Sequence, residues 1–250
     1  MGATGLSERG ASEENGMLEL RPFERLGRTN FDWLDARFHF SFANYHEPGR
    51  ESWGALRVWN DDTVKPGTGF DPHPHRDMEI ITYVRKGTVS HMDHLGNRGR
   101  IEAGDVQVMS AGRGIVHAEY ADEQQETQVF QIWILPDRRG HEPRWGTKSF
   151  PKGDRAGRLV ALASGREAEV AAGALRINQD AALVGATLMA GQSVVWETAP
   201  ARHAYLVPAT GVLEVNGVRV NTRDGLAVTG ESRLEIRAIE ESEIVLVDAP

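Results

Sequence analysis

The chain has 250 residues with 40% hydrophobic and 26% charged side chains, enough apolar material for one large domain or two smaller ones. Its formal net charge of −8 argues against general nucleic-acid binding, which needs clustered Lys and Arg to displace counterions. Cysteine is absent, so disulfides, thiolate metal sites and thiol nucleophiles are excluded, and any metal must be held through nitrogen and oxygen.

In chain order, residues 1–16 are polar and rich in Gly, Ser and Glu, and a disordered tail is expected there. They lack the apolar stretch of a signal peptide, and no apolar run reaches membrane-span length, so the expected compartment is the cytoplasm. Residues 37–42 alternate strictly, which predicts a strand with Phe38, Phe40 and Phe42 on one face. Residues 54–59, 80–84, 105–109 and 128–135 read as further strands. Residues 136–158, rich in Pro, Gly, Arg and Lys, lack strand periodicity and are expected to be a solvated link between two β units. The best helical candidate, 166–172, is brief. Leu213-Glu214-Val215 and Val218-Arg219-Val220 flank Asn216-Gly217, the signature of a two-residue hairpin turn, and 234–237 and 243–247 continue the strand pattern. Closely spaced strands, punctuated by 27 Gly and 11 Pro, indicate an all-β sandwich or barrel architecture. Of the nine histidines only His203 lies beyond His141, so of two barrels only the first is equipped for metal chemistry.

The candidate site comes from two of these segments. Residues two apart on a strand share a face, so His73 and His75 project together, as do His117 and Glu119. Three imidazoles and a carboxylate converging on one point suit iron, manganese, cobalt, nickel, copper or zinc rather than calcium or magnesium. Glu79 has the strand parity of the His pair, so it is expected either near the metal, orienting a ligand, or as a buried hydrogen-bonded carboxylate. His91 and His94 lie on or beside a turn, where structural or rim roles are expected; His39 and His46 are expected in packing or surface positions.

The run His73-Pro74-His75-Arg76-Asp77-Met78-Glu79, then Thr82-Tyr83-Val84 and Gly87, then Met109-Ser110-Ala111-Gly112-Arg113-Gly114-Ile115-Val116-His117-Ala118-Glu119-Tyr120, resembles the pirin family of the cupin superfamily. The resemblance runs from about Met17 to the C-terminus and is strongest toward bacterial pirin-like quercetinases. It implies a bicupin of two β-barrels, with residues 17–145 carrying the metal and 146–250 a degenerate barrel without one. It also implies His73, His75, His117 and Glu119 as ligands of one divalent ion, iron first, and ring opening of a quercetin-type flavonol by molecular oxygen with loss of carbon monoxide. Glu119, then Glu79, are the implied catalytic proton acceptors, and Phe38, Phe40, Phe42 or Trp133 the apolar wall. The partners would be a small aromatic substrate and oxygen, and the chain a monomer. The competing expectation, drawn from eukaryotic pirins, is a metal-bearing regulatory module that binds a protein partner.

Overall fold

Period-two alternation resolves into four sheets, almost wholly antiparallel, in the computed structural model, which describes residues 16–250. The expected disordered tail, apart from Gly16, lies outside the described residues. Each half of the chain pairs a seven-stranded sheet with a four-stranded one, which is the expected all-β bicupin plan. In the first half the larger sheet contains Asp105–Ser110, Glu79–Lys86, Thr127–Ile134, Leu56–Val64 and Leu34–Phe38 as successive neighbours. It covers a smaller sheet of Gly69–His75, Ile115–Ala121, Thr88–Asp93 and Arg98–Glu102.

Alternation along each central strand divides its side chains between two cores. Ile81, Tyr83, Phe130 and Trp59 pack against Tyr205, Val207, Val245 and Val247, so the two seven-stranded sheets lie face to face. Their opposite faces look into the two barrels. Ser242–Ala249 is buried on both sides, which explains its nearly continuous apolar sequence. The second barrel is filled by Leu206, Leu213, Val228, Leu234 and Ile236, leaving it an ordinary hydrocarbon interior. The hairpin turn forms as predicted, with Asn216 and Gly217 at φ 44° and 82°, and the brief helix spans Glu167–Ala171. No helix among the described residues is long and apolar enough to cross a membrane.

Three expectations need correction. Met17–Arg21 does not open the first barrel; it pairs with Gly225–Thr229 at the edge of the second barrel's sheet. Arg21 holds it there, fully buried, paired with Glu19 at 3.0 Å and lying over the rings of Phe40 and Tyr205. Residues 136–158 are not a wholly solvated link. They contain the strand Arg144–Ser149, paired with Asp105–Ser110 in the first sheet, and Arg155 is fully buried. Lastly, the predicted strand over 37–42 ends at Phe38. The chain bends there, so Phe40 joins the core between the sheets while Phe38 and Phe42 stay together, ring centroids 5.4 Å apart.

Candidate metal centre

Antiparallel pairing brings the two predicted ligand segments together. Ile115–Ala121 runs beside Gly69–His75 with His117 directly opposite His73, and the register shifts between His117 and Glu119. The close approach depends on Gly69, where a Cβ would lie 2.2 Å from the Glu119 carbonyl oxygen. His73, His75 and His117 each bring one ring nitrogen within 4.8 Å of the others. Ring centroids are 4.5 Å apart for His73 and His117, 4.7 Å for His73 and His75, and 5.0 Å for His75 and His117.

Hydrogen bonding decides which nitrogens are free. His73 Nδ1 donates to the Asp71 carbonyl at 2.7 Å, which leaves Nε2 as the ring nitrogen available for ligation. His117 is 3% exposed, and its Nδ1 has no hydrogen-bond partner among the described residues. Burial, with His73 and His75 beside it, lowers the His117 pKa to about 2; burial, then His73, lowers that of His75 to about 4. Both rings are therefore neutral at neutral pH, the state in which an imidazole can ligate.

Glu119 is buried against a polar row of the larger sheet. Gln107 Nε2 donates to its Oε1 and Gln131 Nε2 to its Oε2 at 3.0 Å, while Thr82 Oγ1 donates to Gln131 Oε1 at 3.1 Å. It does not join the tight imidazole trio. It forms an adjoining group with His91 and His117, whose donor atoms again lie within 4.8 Å of one another, so His117 belongs to both. His91, expected in a structural or rim role, is 2% exposed inside the site. Its Nε2 donates to Asp93 at 3.2 Å, its ring stacks on Trp145, and its Nδ1 faces Glu119 at 4.0 Å. The signal for this was the register of Thr88–Asp93, which sets His91 opposite Glu119 and cannot be read from one strand alone.

Glu79 takes the second of its two expected places, that of a buried hydrogen-bonded carboxylate. Asp77 adopts φ 49°, breaking the two-residue parity between His75 and Glu79. Glu79 consequently faces away from the imidazoles, where Ser110 Oγ donates to it at 2.6 Å and Asn178 Nδ2 at 2.9 Å. His39 bonds Tyr205 between the sheets at 2.9 Å, and the exposed His94 accepts from the Val116 amide at 3.1 Å.

A cavity of about 360 Å³ opens at the trio, lined by Phe38, Phe42, Phe70 and Trp133 and by the polar Asn60 and Asp62. Trp133 meets His75 edge to face at 5.0 Å. Burial, then the carboxylates of Asp61 and Glu119, push Asp62 up to about 8 against the opposing pull of Arg85. Among the described residues both groups of side chains able to hold a metal lie in this first barrel. A nitrogen-rich donor set with one carboxylate fits a borderline divalent transition ion.

Residues 20–134 match the family model described as Pirin, and residues 162–249 the model described as Quercetinase C-terminal cupin domain. A Pseudomonas aeruginosa relative provisionally named quercetin 2,3-dioxygenase PA1210 is 61% identical, over 93% of this chain and 99% of its own. The Escherichia coli K12 protein named quercetin 2,3-dioxygenase is 40% identical, over 94% and 99%. Among solved structures, bacterial pirin YhhW from Escherichia coli in complex with nickel(II) superposes with a TM-score of 0.86 at 38% identity, covering 94% of this chain and 99% of that one.

Proposed function

This chain belongs to the pirin family, and on that premise we propose that it is a metal-dependent dioxygenase that opens the ring of a quercetin-type flavonol with molecular oxygen. The ion would be held by His73, His75 and His117, with Glu119 reaching it from the adjoining group that shares His117. One observation carries the reading: three imidazoles converge on one point beside an aromatic-walled cavity large enough for a flat ring system. The names of the relatives and the nickel complex of the bacterial pirin support it.

A bound divalent ion supplies Lewis acidity, which makes a flavonol hydroxyl acidic enough to ionise near neutral pH. The chain supplies the rest. Phe38, Phe42 and Trp133 flank the planar ligand and exclude water. Glu119 accepts the hydroxyl proton, with Gln107 and Gln131 fixing its carboxylate. Iron is the first choice of metal and nickel the second; the imidazole and carboxylate donors take either.

The decisive assay is anaerobic loading with iron, manganese, cobalt, nickel or copper in turn, followed by oxygen uptake and carbon monoxide release with quercetin. Turnover with at least one ion, abolished in His73→Ala, is the expected result. Turnover with none would sink the oxygenase reading and leave the metal-bearing regulatory module in its place.

A further inference from the structure

The cavity has a second polar region that neither ligation nor proton transfer uses. Three successive rows of the larger sheet face it. Val58, Trp133, Ile80 and Met109 pair in one row; Asn60, Gln131, Thr82 and Gln107 pair in the next; Asp62 lies in the third between Ala36 and Val129. Gln131, Thr82 and Gln107 are engaged with one another and with Glu119. Asn60 and Asp62 are not. They are 3% and 4% exposed, both line the cavity, and the Oδ1 of each has no hydrogen-bond partner among the described residues. Buried acceptors normally find donors, and leaving two of them dry costs stability. Two such acceptors, two residues apart on one strand, point to a donor that arrives from outside the chain.

We propose that Asn60 and Asp62 are the specificity-determining pair of this cavity, accepting hydrogen bonds from ring hydroxyls of a flat, polyhydroxylated aromatic ligand whose other edge lies at the His73, His75 and His117 cluster. The inference rests on the flavonol reading and narrows it to flavonols hydroxylated away from the metal edge. Phe38, Phe42 and Phe70 offer ring contacts but no hydrogen bonds, so this pair is placed to set the ligand's orientation. A phenolic hydroxyl is the matching donor. An unhydroxylated ring would leave both acceptors unpaired.

Calorimetric titration of the metal-loaded protein under argon tests this without needing turnover. The ligands are quercetin and the parent flavonol that carries only its 3-hydroxyl; the proteins are wild type, Asp62→Leu, Asp62→Asn and Asn60→Ala. The wild type is expected to bind quercetin about tenfold tighter than the parent. Asp62→Leu and Asn60→Ala should lose most of that preference by weakening quercetin alone, whereas Asp62→Asn, which keeps the acceptor, retains it. Equal binding of both flavonols by the wild type, or a preference untouched in Asn60→Ala and Asp62→Leu, overturns the pair's role. If Asp62→Leu does not fold, the wild-type comparison and Asn60→Ala decide. Turnover of both flavonols without preference defeats this pair alone; failure of the wild type to bind either defeats the flavonol reading as well.

Discussion

His117 is the side chain on which both convergent groups depend, because the imidazole trio and the group with His91 and Glu119 share it. Removing it should do more damage than removing any one partner. Gln107→Leu, which strips a donor from Glu119 without touching a ligand, should weaken metal affinity about 10- to 100-fold, and His117→Ala by more. A competition titration with a chelator measures both, and unchanged affinity in His117→Ala would discard the site. Protonation gives a second handle. In the metal-free protein the folded pKa values of His75 and His117 are about 4 and about 2, whereas an unfolded histidine titrates near 6.5. The unfolded state therefore binds protons first, so this contribution is complete above about pH 6.5 and is lost as pH falls, toward about 4 for His75 and about 2 for His117. His75 is half-buried, and solvent screening makes its share the smaller. Melting curves of wild type and His117→Gln across that window should converge as pH drops; parallel curves would refute the linkage. At this scale the sequence yielded the convergence of the imidazoles, since period two alone puts His73 beside His75. It hid the place of His91, which depends on a neighbouring strand's register, and it could not choose between two places for Glu79, because one residue with positive φ breaks the parity.

Elements succeed or fail by how local their cause is. The hairpin at Asn216-Gly217 was legible because two positive φ angles are written into those residue types. The strand past Phe38 was not, because nothing in an alternating sequence says where pairing stops. The turn before the His117 strand lies between these cases. Gly112 adopts φ 47°, and a Cβ there would meet the His141 carbonyl oxygen at 2.0 Å. Its amide neighbours are already committed, with Arg113 N donating to that same carbonyl and Asp77 N donating to the Gly112 oxygen, so this turn fixes where both ligand strands start and end. Gly112→Ala should cost about 2 kcal/mol, from the backbone strain and the displaced contact together. That corresponds to a loss of roughly 4–8 °C in Tm for a chain of this size, with metal affinity reduced alongside because His117 shifts. A variant that melts with the wild type would show that the turn yields freely.

At the scale of the molecule, the break in strand pattern over 136–158 pointed to two β units and the histidines gathered in the first, yet the sequence concealed how the units are joined. Arg155 is the instructive case, since a stretch rich in Arg, Lys, Gly and Pro reads as solvated. Its guanidinium is instead sealed between the sheets, where it donates to Tyr83 Oη at 3.0 Å and to Glu243 at 3.3 Å. Tyr83 in turn donates to Glu243, so strands of both barrels and the connecting segment meet at one carboxylate. Burial, then Glu243 itself, raises the Tyr83 pKa, which keeps the phenol protonated and donating. Because Tyr83 also belongs to the apolar core shared by the two seven-stranded sheets, the barrels should unfold together in a single transition. Arg155→Met leaves Glu243 buried with Tyr83 and the half-exposed Lys152, so its cost should fall near the low end for breaking a buried pair, about 3 kcal/mol. Adding Glu243→Leu removes the stranded charge and should restore most of that loss, a coupling that a double-mutant cycle by urea unfolding reads directly. Additive losses in the double variant, or two separate unfolding transitions in the wild type, would mean that the barrels stand independently and that this junction merely fills space.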